Sequence, residues 1–112
     1  MERNKPNTKE MEQMIWEFLK TSSQPIKAKV LAERLGISER MVRRLIRDLI
    51  AQGYQVASSM EAPYGYFIPK NEQERRRYRN QLISRLKHIA GRLRDFDKAM
   101  AEKIEQILMM YS

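Results

Sequence analysis

Cysteine is absent from the chain. Disulfides and thiolate metal sites are therefore excluded, and a reducing, cytoplasmic setting fits. The single histidine, His88, cannot build a catalytic dyad or a zinc site at any common spacing. The four glycines stand apart at positions 36, 53, 65 and 91, so no glycine-rich loop cradles a phosphate. Long apolar runs are missing too. The longest, Ile107 to Tyr111, is far too short to cross a bilayer. No apolar stretch follows Met-Glu-Arg-Asn-Lys-Pro at the start, so no secretory signal is expected. No pair of carboxylates is placed for acid–base work. These absences lead us to expect no enzyme, no cofactor, no metal, no small-molecule ligand and no membrane association. Acids are also scarce relative to bases, 14 against 22, giving a net charge of +8 and a pI near 10.0. That balance favours a polyanionic partner, most often nucleic acid.

The 112 residues suit one domain, or a small domain plus an appended helix. Within them, Lys27 to Gln52 carries the densest pattern. Apolar residues fall at Leu31, Leu35, Ile37, Val42 and Leu45, and the small Ala32 falls where two helices would cross. Gly36 stands where the turn needs a positive φ. Ser38, Glu39, Arg40, Arg43, Arg44 and Arg47 then occupy the outward positions of the second helix. The spacing predicts a helix-turn-helix, a motif that lays its second helix in the DNA major groove.

The flanks extend the pattern. Asn7 with Glu10 is a capping box, followed by Met11, Met14, Ile15, Phe18 and Leu19 on one helical side and a break at Pro25. Ser38 should cap the third helix, and Gly53 should end it in a left-handed cap. Tyr54 to Met60 and Tyr64 to Pro69, on either side of Glu61-Ala62-Pro63, read as a β-hairpin. Three helices and a hairpin make a winged helix. Trp16 and the hairpin aromatics read as packing residues.

The string from Ala32 to Arg44, with Gln52-Gly53-Tyr54 and the closing Gly65-Tyr66-Phe67-Ile68, resembles the "HTH type 11" winged helices at the N-terminus of biotin-operon and sugar-operon repressors. The resemblance covers roughly Thr8 to Pro69. It implies a mainly α winged helix-turn-helix that binds DNA. The tip, Met60-Glu61-Ala62-Pro63, departs from the family's Gly-rich or Arg-bearing tips and lacks the cation that would hold it in a minor groove.

Past Pro69 the composition changes, so residues 1–70 are expected to form the DNA-binding domain and residues 71–112 a long amphipathic helix. Asn71 and Glu74 repeat the capping box, and the pattern from Glu72 to about Met110 predicts one continuous helix of roughly 55–60 Å. Leu82, Leu86, Ile89, Leu93, Phe96, Met100, Ile107 and Met110 follow a heptad, with Lys103 the one polar intruder. This predicts a coiled-coil dimer; the alternative is a helix folded back on its own winged-helix domain.

Arginine's planar fork grips guanine or phosphate with two hydrogen bonds. Arg40, Arg43 and Arg44, early in the predicted recognition helix, are the expected base readers, with Ser38 and Glu39 beside them. Arg47, Lys27, Lys29, Tyr64, Arg75 and Arg76 complete the expected DNA contacts. Arg75 to Arg94 contains eight bases and no acid, either a surface along flanking DNA or a solvated helix face. The expected function is sequence-specific binding of double-stranded DNA as a homodimer in transcriptional regulation. The alternatives are a DNA-organising or recruiting factor of a phage or mobile element, or a protein-interaction scaffold.

Overall fold

A computed structural model describes residues 7–111. It divides into two compact units, one up to Pro69 and the other from Lys70.

The first unit opens with helix α1, Thr8–Thr21. The Asn7 side chain accepts from the Glu10 amide at its start, and Ser22 closes it. Helix α2, Ala28–Leu35, ends on Gly36, whose φ is 69°. That left-handed turn lets the amides of both Gly36 and Ile37 reach the carbonyl of Ala32, which satisfies the end of α2 and redirects the chain. Helix α3, Glu39–Ala51, begins at Ser38, whose hydroxyl accepts from the Met41 amide at 3.1 Å. Its buried positions Val42, Leu45, Ile46 and Leu49 recur at helical spacing and form one apolar stripe. With Ile15, Leu19, Leu31 and Ala32 they make the core, while Leu35 and Ile37 pack at its edge.

The predicted hairpin is present but short. Strand β1, Ala57–Ser58, pairs antiparallel with β2, Tyr66–Phe67, with Ala57 opposite Phe67. Ile26, just before α2, exchanges two 2.8 Å backbone hydrogen bonds with Tyr66. This third pairing, not expected from the sequence, ties the wing to the helices. Gly65, at φ +140°, makes it possible, because a Cβ there would lie 2.6–2.9 Å from the Ile26 backbone. Trp16 meets Tyr54 edge-on, with ring centroids 4.8 Å apart. Gln52 donates to the buried Glu12 at 2.9 Å and accepts from Lys9 at 3.2 Å, which compensates the burial of a carboxylate.

The second unit corrects the expectation of one continuous helix. Helix α4, Glu72–Phe96, is about 37 Å long at 1.5 Å per residue. It stops at Asp97, whose backbone is extended and whose carboxylate accepts from the Ala99 amide at 3.1 Å. A short 3-10 turn, Lys98–Met100, leads into helix α5, Ala101–Met109, which packs back on α4. Ala90 of α4 and Ile104 of α5 are buried in this helical hairpin, and Arg94 donates to Glu105 across it at 2.6 Å. The side chain of Asp97 offers local hydrogen bonds that compete with helix continuation. The heptad is thereby divided: Leu82 to Phe96 stay on α4, whereas Met100 lies in the turn, Ile107 on α5 and Met110 just past its end. Ile104, next to the supposed intruder Lys103, is the residue α5 buries. Gly91 lies inside α4 without ending it.

Candidate nucleic-acid interface

The core stripe of α3 fixes which side of that helix meets solvent. Turning 100° per residue from Val42 and Leu49 puts Arg40, Arg44 and Arg47 on the opposite side and Arg43 on its flank, and all four are exposed. Arg43 donates to Glu39, one turn earlier, at 3.2 Å, with both side chains about half exposed. Such an exposed i,i+4 pair is weak, and a duplex phosphate or guanine can displace it. Among the described residues, Arg40, Arg44 and Arg47 form no ion pair. Arg44 is therefore not tied to Asp48. The face presents four cations against one carboxylate, Glu39.

Ser38 and Glu39 stand exposed at the start of α3. The Ser38 hydroxyl is engaged as the helix cap, so its first task is to orient the helix that carries the arginines. Lys27 and Lys29, at the start of α2, are exposed. Tyr64 is 55% exposed on the hairpin, where its hydroxyl is open to a hydrogen-bond acceptor.

The other expected contacts lie on α4 of the second unit. Arg75 is two-thirds buried and donates to Glu72 at 3.2 Å, and Glu72 also accepts from Arg79 at 3.4 Å. The hydrogen bond from Arg75, then that from Arg79, holds the Glu72 carboxyl below its ordinary range. Arg75 is thus already committed to an acid, whereas Arg76 is exposed and forms no ion pair among the described residues. On the hairpin, the Glu105 carboxylate, then Asp95, raises the Arg94 guanidinium above its ordinary value, which removes Arg94 from the free cations. His88 is exposed.

Of the residues expected to mediate dimerisation, Leu82, Leu86, Ile89, Leu93 and Phe96 all face solvent on α4, Phe96 at 88% exposure. Met100 is half-buried in the turn, while Ile107 and Met110 are exposed on and after α5. The polar chain Lys9–Gln52–Glu12 and the Ile26–Tyr66 pairing have no signal in the sequence pattern. The break at Asp97 had one local sign: an aspartate two residues before an amide it can cap.

Among the described residues no helix is long and apolar enough to cross a membrane, and no group of His, Cys, Asp or Glu is clustered to hold a metal ion. A family model described as an HTH domain matches residues 11–67. The matched residues make up just over half of the chain and run from the first turn of α1 to the end of β2. No curated protein matches the chain significantly.

Proposed function

The chain belongs to this family of helix-turn-helix domains, and on that premise we propose that it is a sequence-specific, dimeric DNA-binding regulator. The coarser part rests on the family: the domain is a DNA-binding one. The finer part is supported chiefly by the exposed face of α3, where Arg40, Arg44 and Arg47 are unpaired among the described residues and back onto a fully buried stripe. A rigid helix that offers several guanidinium forks to a groove can read guanines through O6 and N7 and hold adjacent phosphates. Arg40, Arg43 and Arg44 are the proposed base readers. Ser38 and Glu39 act beside them, and Arg47, Lys27, Lys29, Tyr64 and Arg76 contact the backbone. Arg75, bound to Glu72, contributes less.

Pairing of two copies is supported by the apolar stripe Leu82, Leu86, Ile89, Leu93 and Phe96, which recurs every three or four residues on α4 and stays exposed. Two-fold pairing would present two recognition helices to an inverted repeat.

Selection of bound duplexes from a random pool tests both parts. The expected result is one guanine-containing motif in two inverted copies, lost in the Arg43→Ala/Arg44→Ala variant. Enrichment of no motif, or an identical motif from that variant, would overturn the reading. A single uninverted copy would overturn the dimer.

A further inference from the structure

The helical hairpin of the second unit carries one continuous apolar face. Helix α5 packs on α4 with Ala90 and Ile104 buried between them. At about 100° per residue, Leu82, Leu86, Ile89, Leu93 and Phe96 lie roughly 40–120° to one side of Ala90. Ile107 and Met110 lie roughly 60–120° from Ile104 in the same rotational sense, since Met110 keeps helical backbone angles just past the end of α5. In two antiparallel helices that face each other, equal senses fall on the same side of the pair. Ile107 and Met110 therefore widen the α4 stripe, and all seven residues are exposed. At about 200 Å² for a large apolar residue in the open, the five on α4 expose roughly 540 Å² and the seven together roughly 760 Å². A stable interface takes about 800 Å² from each partner, so the stripe falls short by itself and nearly suffices with α5.

We infer that this face is covered by the same face of a second copy, in an antiparallel four-helix bundle with α4 on α4 and α5 on α5. The inference deepens the pairing proposed above and rests on it. Other two-fold arrangements fit the face less well. Parallel α4 helices in direct contact put the two α5 helices on opposite sides of the pair, which leaves Ile107 and Met110 in water. Seating each α4 on the other copy's α5 leaves the start of the stripe bare. The stripe runs about 21 Å from Leu82 to Phe96, whereas the 9 residues of α5 span about 14 Å. The antiparallel arrangement covers all seven residues, with Leu82 against Phe96 and Ile89 against Ile89.

The charges agree. Arg75 and Arg79 stand seven residues before Leu82 and Leu86 and so continue the stripe, and Glu72 offsets only one of them. Glu74 lies about 80° around the helix from Leu82 and accepts from the Lys70 amide. Parallel helices would set these arginines of both copies against each other, a costly juxtaposition of like charges. Antiparallel helices separate them to opposite ends, each beyond Phe96 of the other copy. Asp97 and Lys103, near that end of the hairpin, offset one another.

Because the chain has no cysteine, introduced cysteines report the pairing directly. Full-length Leu82→Cys and Phe96→Cys chains, mixed in equal amounts and oxidised by air, should give mainly the mixed disulfide. Leu82→Cys by itself should give little, since a disulfide needs Cα atoms within about 7 Å. Ile107→Ser/Met110→Ser should raise the dimer dissociation constant at least about tenfold in sedimentation equilibrium, because it removes apolar area from the interface. Circular dichroism should show unchanged helix content, as both side chains are exposed in the single chain. Leu82→Cys chains that join readily to each other would overturn the inference in favour of parallel helices and leave the pairing itself intact. An unchanged dissociation constant in the serine variant would remove α5 from the interface and overturn the bundle. A wild-type chain that stays monomeric would end the pairing reading and the bundle with it.

Discussion

Replacing Gly65 with alanine would push a methyl group into the backbone of Ile26. The added Cβ would sit 2.6 Å from the Ile26 carbonyl carbon, 2.8 Å from its oxygen and 2.9 Å from its nitrogen. Backbone atoms cannot rotate away as a side-chain tip can, so the wing must move off Ile26. That movement endangers two hydrogen bonds of 2.8 Å between Ile26 and Tyr66, worth about 1 kcal/mol each. Holding a non-glycine residue at φ +140° adds about 1–3 kcal/mol. The expected cost is roughly 3–5 kcal/mol, a large share of a small domain's typical 5–15 kcal/mol. Gly36→Ala provides the comparison. Gly36 also has a positive φ, but a Cβ there meets nothing within 4 Å, so only the left-handed penalty of about 1–2 kcal/mol applies. Urea unfolding followed by Trp16 fluorescence measures both, because Trp16 packs against Tyr54 in the same unit. Equal losses for the two variants would refute the close-approach argument. So would a Gly65→Ala protein whose Ile26 and Tyr66 amides remain protected from hydrogen exchange.

Other expectations follow from single contacts. Ser38→Ala should cost about 1 kcal/mol, the usual worth of an N-cap, and Ser38→Asp should recover most of it in the same urea assay. Leu45→Ala should destabilise by about 2–5 kcal/mol because its side chain is fully buried. Arg47→Ala, on the opposite side of the same helix, should change stability by less than about 0.5 kcal/mol yet weaken DNA binding in a gel shift. Similar unfolding midpoints for these two variants would refute the assignment of faces on α3. For Glu72, the lowered carboxyl pKa means that the charged form is favoured in the folded state. Its stabilising interaction is therefore fully present above the ordinary carboxylate range and lost as pH falls through the lowered folded value. A carbon-13 titration should place the Glu72 midpoint below the ordinary Glu value of about 4.3, and Arg75→Gln/Arg79→Gln should move it up. A wild-type midpoint at the ordinary value would contradict the pairing.

The local instructions of this chain were legible without coordinates. Asn7, Ser38 and Asn71 announce helix starts because short polar side chains satisfy free amides, and each does so in the structure. Gly36 marks the turn because few other residues tolerate its φ. The period of the apolar residues assigned the buried and exposed sides of α3, and with them the arginine face, because helical spacing alone sets which side chains share a side. The match of residues 11–67 to a helix-turn-helix family reflects this same local pattern.

What the sequence left open involves partners far apart along the chain. Ile26 meets Tyr66 across 40 positions and Gln52 meets Glu12 across the same interval; no periodicity encodes such pairings. The heptad ran past Asp97 because apolar spacing does not register a backbone break, and only the packing of Ile104 and Ala90 decided that α5 turns back. Whether an arginine is free to meet an anion was in part a tertiary matter, for Arg94 meets Glu105, 11 positions on, only because α5 turns back on α4. Composition and period fixed the charge and the faces of each helix; the three-dimensional meeting of distant residues fixed which of those charges remain available.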